Sequence, residues 1–215
     1  MMQDRRFPIA KEGFVFIGIA GNLILPASLY LGWAGGIFLS VLTLFCTYFF
    51  RDPERVIPKG EGVLVSPADG KIVDISSTEE GRFLKKPAIK ISIFLDIFNV
   101  HVNRSPVAGK VLDIIYNKGR FFAANVPKAS LENEQNALIL ETDSGKKIVC
   151  IQIAGLIARR IVCKTNLGET LQRGERFGLI RFGSRVDLYL PIETEVRVSK
   201  GDKVLGGESV IGVLR

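Results

Sequence analysis

The chain contains one histidine, His101, in the run Phe98-Asn-Val-His-Val-Asn-Arg-Ser-Pro106. Imidazole is the one common side chain that titrates near neutral pH, so general-base chemistry there would fall to it. A purely structural histidine is the competing reading. The second candidate is the pair Gly183-Ser184, which interrupts what reads as one β run from 179 to 190. Glycine lets the backbone take geometry closed to other residues, and it exposes its carbonyl to the neighbouring hydroxyl. A lipase-type elbow requires Gly-x-Ser-x-Gly. The residues here are Phe182-Gly-Ser-Arg-Val186, which disfavours an ordinary serine hydrolase. Asp69, in Ser66-Pro-Ala-Asp-Gly70, adds a carboxylate, although Asp-Gly is also a common turn.

Metal chemistry has little to work with. The three cysteines, Cys46, Cys150 and Cys163, form no Cys-x-x-Cys pair, and a single histidine does not complete a Cys/His site. Cys150 and Cys163 lie in alternating apolar runs and read as core residues of a protein kept in a reducing compartment.

These candidates must be positioned by strands. From Val63 onward the pattern is one of short alternating or β-branched runs. They cover 63–66, 71–76, 88–95, 107–116, 137–141, 147–154, 160–165, 178–182, 186–190, 195–198 and 209–214. Turn signals such as Asp69-Gly70, Ser144-Gly145, Gly201-Asp202 and Gly206-Gly207 separate them. The spacing predicts a mainly β fold, a sandwich or open barrel. A single helical turn is expected over 167–173. The stretches 65–73 and 198–206 each bring a strand into an Asp-Gly or Gly-Asp turn, which suggests two hammerhead-like halves resembling lipoyl and biotinyl carriers. Neither turn presents a lysine between hydrophobic residues, so a carrier function is disfavoured.

A different pattern precedes the strands. Residues 13–50 form a run of 38 without a charge. As one helix it would extend about 57 Å, at ~1.5 Å per residue, against a hydrocarbon core about 30 Å thick. Gly32, Gly35 and Gly36, beside Tyr30 and Trp33, mark the expected break. Basic residues flank both ends, Arg5, Arg6 and Lys11 before and Arg51, Arg55 and Lys59 after. Both ends are thereby assigned to the cytoplasmic side, as in an apolar helical hairpin, either spanning or shallow. The domain reading is 1–50 as the membrane-attached hairpin, 51–61 as an extended connector and 62–215 as the β-rich catalytic domain. The net charge is +7, with no Arg-rich, aromatic-interleaved patch for nucleic acid. Beside an apolar segment, such charge favours anionic lipid head groups.

Taken in order, Phe-Phe-Arg-Asp-Pro at 49–53, Ser-Pro-Ala-Asp-Gly at 66–70, Val-His-Val-Asn-Arg-Ser-Pro at 100–106, Arg-Phe-Gly at 176–178 and Phe-Gly-Ser at 182–184 span nearly the whole chain. The chain resembles the phosphatidylserine decarboxylase proenzymes, in their short prokaryotic form. The resemblance implies autocatalytic cleavage at Gly183-Ser184, with Ser184 converted to a pyruvoyl prosthetic group and Asp69 and His101 activating it. It implies a pyruvoyl-dependent lyase that turns phosphatidylserine into phosphatidylethanolamine and carbon dioxide. No metal or nucleic acid takes part. The 1–183 and 184–215 pieces would remain together as a heterodimer, with further assembly left open. The substrate would be a phospholipid in the cell membrane, met on its cytoplasmic face. Arg104, Lys110, Arg159, Arg160 and Arg181 are candidates for its phosphate or carboxylate. Long-form members carry a further histidine three residues before the one matching His101; here that position is Phe98, an apolar ring suited to excluding water.

Overall fold

The computed structural model describes residues 8–119, 133–155, 160–181 and 184–215. The chain divides into two units, Met1–Glu54 and Arg55–Arg215.

In the first unit a 3-10 turn, Lys11–Gly13, leads into helix α1, Phe14–Asn22, and then α2, Ile24–Phe49. Gly32 breaks α2 at φ 70° and ψ −172°, a conformation that glycine reaches without a Cβ penalty. The chain folds back there, so closely that a Cβ on Gly36 would collide with the Ser28 hydroxyl. At the base, the Ala10 N–H donates to the Phe50 carbonyl at 2.7 Å, and Ile9 bridges Arg51 in antiparallel fashion. The unit is therefore a helical hairpin whose tip falls within the expected glycine cluster. A second break, at Leu23, was not expected. It restarts the helix so that Pro26 falls in the first turn of α2, where its missing N–H and fixed φ do little harm. The hydroxyls of Ser28, Ser40, Thr43 and Thr47 bond back to carbonyls one turn earlier. The hairpin surface is accordingly apolar, with Leu29, Tyr30, Leu31 and Trp33 largely exposed.

The second unit is built from strands. In chain order they are β1 (Val63–Val65), β2 (Gly70–Glu80), β3 (Lys86–Leu95), β4 (Val102–Arg104), β5 (Gly109–Asn117), β6 (Gln135–Glu141) and β7 (Lys147–Ala154). Then follow β8 (Ile161–Cys163), β9 (Thr170–Leu171), β10 (Arg176–Ile180), β11 (Ser184–Pro191), β12 (Glu195–Val196), β13 (Lys203–Val204) and β14 (Val210–Val213). An eight-stranded antiparallel sheet runs β13-β2-β3-β11-β7-β6-β5-β9, and two three-stranded sheets run β1-β14-β12 and β4-β10-β8. The fold is mainly β, as expected. The stretches 65–73 and 198–206 lie side by side, with Lys203 opposite Lys71 and Val204 opposite Gly70.

Period-two alternation explains the packing. On β11, Val186, Leu188 and Leu190 enter the main core with Ile91, Ile93, Leu95, Leu138 and Leu140. Tyr189, pointing the other way, joins the smaller cluster of Ala137, Ile139, Val149, Ile151 and Ile153. With both faces covered, the middle strands read as nearly continuous apolar runs.

One expectation is corrected. Residues 167–173 form no helical turn; Gly168 takes φ 80°, and Thr170–Leu171 pairs with Gly109 and Lys110 as an edge strand. The backbone there completes the sheet edge, a tertiary demand that outweighs local propensity.

Candidate active site

Ser184 is the first residue of β11, where it pairs with Leu95, the last residue of β3, and with Ala154, the last of β7. It points to the core face with Val186, is fully buried, and its hydroxyl has no hydrogen-bond partner among the described residues. The β run of 179–190 is indeed interrupted, and for a topological reason. Strand β10 belongs to the β4-β10-β8 sheet and β11 to the eight-stranded one, so the chain changes sheets between Ile180 and Ser184. Gly183 itself lies outside the described residues.

His101 follows a tight turn after β3. The Phe98 N–H donates to Asp96 Oδ1 at 2.8 Å, and the Asp96 N–H donates to Asn99 Oδ1 at 2.9 Å. The buried imidazole then donates from Nδ1 to the Asn99 carbonyl at 2.9 Å. A carbonyl can only accept, so the neutral ring carries its proton on Nδ1 and its lone pair on Nε2. The His101 carbonyl accepts from the Ile180 N–H at 3.2 Å, which places this histidine beside the strand that leads to Ser184.

Asp69 sits at the mouth of β2, in a turn closed by the Ser66 hydroxyl on the Ala68 carbonyl at 2.7 Å. Gly70 follows because a Cβ there would strike the Phe94 carbonyl. The Asp69 carboxylate is nearly buried. It receives the Arg55 guanidinium at 2.8 and 3.1 Å and the Gly206 N–H at 2.7 Å. Arg55 also reaches Glu208 at 3.3 Å. Glu208 in turn accepts from the Val56 N–H at 3.0 Å, and this bond, ahead of Arg55, draws its carboxyl below the usual range. Because β2, β3 and β11 are consecutive in the sheet, Asp69 and Ser184 emerge at one end of it. They lie two strand spacings apart, about 10 Å between backbones.

Arg55, expected only as one of the basic residues after the apolar run, is a functional neighbour that the sequence does not reveal. No local pattern relates it to Glu208, 153 positions away. Among the cation candidates, Arg104 is buried with its guanidinium on the Gly174 carbonyl at 3.0 Å, a structural use. Lys110 is exposed on β5, Arg160 is exposed, Arg181 is half-buried, and Arg159 lies outside the described residues. Phe98 is 61% exposed, so on its own it shields little from water. Among the described residues, no cluster of three His, Cys, Asp or Glu side chains is placed to hold a metal.

The Phosphatidylserine decarboxylase family profile matches residues 42–212. The chain belongs to the phosphatidylserine decarboxylase family. Its similarity to the phosphatidylserine decarboxylase proenzyme of Geotalea uraniireducens is 48% identity over 99% of this chain and 100% of the relative. The proenzyme of Syntrophotalea carbinolica is 49% identical over the full length of both. That of Desulfotalea psychrophila is 50% identical over 98% of this chain and 99% of its own. The part matching the phosphatidylserine decarboxylase profile contains Asp69, His101 and Ser184 together with Arg55 and Glu208. The match to these relatives extends through the apolar hairpin as well.

Proposed function

We propose that this chain is a proenzyme that cuts itself between Gly183 and Ser184, keeps its two pieces together, and decarboxylates phosphatidylserine to phosphatidylethanolamine. The observation that carries this reading is Ser184: a buried hydroxyl without a partner among the described residues, at the point where the chain changes sheets. A hydroxyl kept only for structure would be hydrogen-bonded at that depth.

Cleavage uses groups of this chain alone. His101 Nε2 takes the Ser184 hydroxyl proton, while Nδ1–H stays on the Asn99 carbonyl. The Asp69 carboxylate, held by Arg55 and the Gly206 N–H, stabilises the imidazolium that forms. Ser184 Oγ adds to the Gly183 carbonyl carbon, and the amide becomes an ester as the Ser184 nitrogen leaves with a proton. Loss of the Ser184 Cα proton expels the Gly183 carboxylate and leaves a Cα=Cβ bond. Water then replaces the nitrogen, releasing ammonia and leaving a ketone on residue 184.

The site fits a pyruvoyl group, since residue 184 carries a hydroxyl that no described residue engages. Such a group supplies a ketone that captures the substrate amine and takes up the electron pair left as carbon dioxide departs. The 32-residue piece beginning at Ser184 contains β11 to β14, which pair with β3, β7, β2 and β1 of the other piece. It therefore stays bound after the cut.

The hairpin supports a lipid substrate. Its two arms, 14–31 and 33–49, are each about 26 Å long at ~1.5 Å per residue, close to the hydrocarbon thickness of about 30 Å. Basic residues at its base fit the cytoplasmic face. An intact-mass spectrum of the active protein tests the reading. It should show pieces of 183 and 32 residues, the smaller blocked to amino-terminal sequencing. A single 215-residue species in active material overturns it.

A further inference from the structure

Three buried amides form a chain across the interior. Asn136 Nδ2 donates to Gln152 Oε1 at 3.0 Å, and Gln152 Nε2 donates to Asn103 Oδ1 at 2.8 Å. All three amides are at most 2% exposed. The direction of this chain leaves one end unused: Asn103 Nδ2, buried, has no hydrogen-bond partner among the described residues. Gln152 presents its oxygen to Asn136 and its nitrogen to Asn103. Asn103 accepts through Oδ1 and turns its N–H groups outward.

Position connects this donor to Ser184. Asn103 is two residues beyond His101, and both sit beside β10, His101 through its carbonyl on the Ile180 N–H and Asn103 opposite Gly178. Gln152 stands opposite Val186, on the core face that Ser184 also occupies. The donor is thus delivered from β4 into the interior that holds the buried Ser184 hydroxyl. Gly178, opposite Asn103, leaves the room: a Cβ there would come within 2.9 Å of Gln152 Nε2.

A buried donor left unsatisfied is costly in the resting protein and useful where negative charge develops. We infer that Asn103 is a catalytic residue of self-cleavage, its Nδ2–H groups stabilising the oxyanion formed when Ser184 Oγ adds to the preceding carbonyl. The inference rests on the self-cleavage reading. In the step, the hydroxyl proton passes to His101, the oxygen–carbon bond forms, and the carbonyl π pair moves to oxygen, where Asn103 donates. Collapse of that oxyanion breaks the carbon–nitrogen bond, and His101 returns the proton to the nitrogen. Gln152 and Asn136 are positioning residues.

The test follows cutting of the full chain in a timed cell-free synthesis for wild type, Asn103→Ala, Asn103→Asp and Ser184→Ala. Asn103→Asp matters most, because aspartate keeps the shape and still accepts from Gln152 but offers no N–H. Both Asn103 variants should cut about 100-fold more slowly, the scale of one lost oxyanion donor. Asn103→Asp buries a carboxylate and should melt lower than uncut Ser184→Ala, but it should keep a single cooperative transition, which shows that it folds. Hydroxylamine, which cleaves esters, should release no 32-residue piece from the Asn103 variants, because the ester never accumulates. Wild-type cutting speed in Asn103→Asp overturns the inference alone. So does hydroxylamine release, which would put the role of Asn103 after ester formation. A wild-type chain that never cuts overturns the underlying reading and this inference with it.

Discussion

The Arg55 guanidinium holds both carboxylate oxygens of Asp69, with Nη2 at 2.8 Å from Oδ2 and 3.1 Å from Oδ1. Both side chains are under a tenth exposed. Removing one partner of such a pair leaves the other charged and buried, a loss of about 3–5 kcal/mol. In an uncut Ser184→Ala background, Arg55→Ala should therefore lower the melting temperature sharply. In the cutting chain it should slow processing, because Asp69 loses its orientation. Arg55→Lys keeps the charge but not the planar fork, and should give intermediate values for both. Melting and timed gels are the measurements, and an Arg55→Ala chain that cuts at the wild-type rate refutes the positioning role.

Processing should also distinguish the groups on Ser184 from those behind them. Ser184→Ala should remain a single chain indefinitely. His101→Ala should be cut at least 100-fold more slowly, within the usual contribution of a general base of ~10²–10⁴. Asp69→Asn retains the shape but not the charge, and should fall between His101→Ala and wild type. Efficient cutting of His101→Ala, followed by mass spectrometry, would remove the imidazole from the scheme.

Glu208 links the connector to the site and gives acid stability a definite sign. The Val56 N–H, and then Arg55, hold its carboxyl below the ordinary glutamate value. The folded value is thus lower than the unfolded value, near ~4.3. Its contribution is present above the unfolded value and is lost as pH falls through the folded one. The difference in melting temperature between wild type and Glu208→Gln should be largest near pH ~6 and should shrink towards pH ~3. A difference independent of pH would mean that Glu208 acts by packing alone.

The hairpin predicts a topology. Ile9 bridges Arg51, so the base of the apolar unit has both strands of chain together. Cysteines introduced at positions 3 and 59, in a background without the native three, should be labelled from the same side of sealed vesicles. Removing residues 1–50 should release the protein from membranes. Labelling from opposite sides would exclude the hairpin in favour of a single crossing.

Much of this protein was determined by sequence alone, because the responsible signals are local. A short, nearly continuous apolar and β-branched run marks β7 to the residue, 147–154. The glycine cluster marks the hairpin tip, since a residue at φ 70° without glycine is strained. The single histidine and the Gly-Ser pair stand out by type and place in the chain. What only the tertiary structure decided are relations between distant positions. The short strands β4, β9 and β13 have two or three residues each, too few to show a period, and exist because a neighbouring edge pairs with them. Arg55 meets Asp69 and Glu208, and Asn103 meets Gln152, through burial and hydrogen-bond satisfaction across the sheets. An isolated arginine or asparagine looks the same in sequence whether solvated or buried. Its partners are set by which strands lie side by side, a choice made by packing the whole core rather than by any local run of residues.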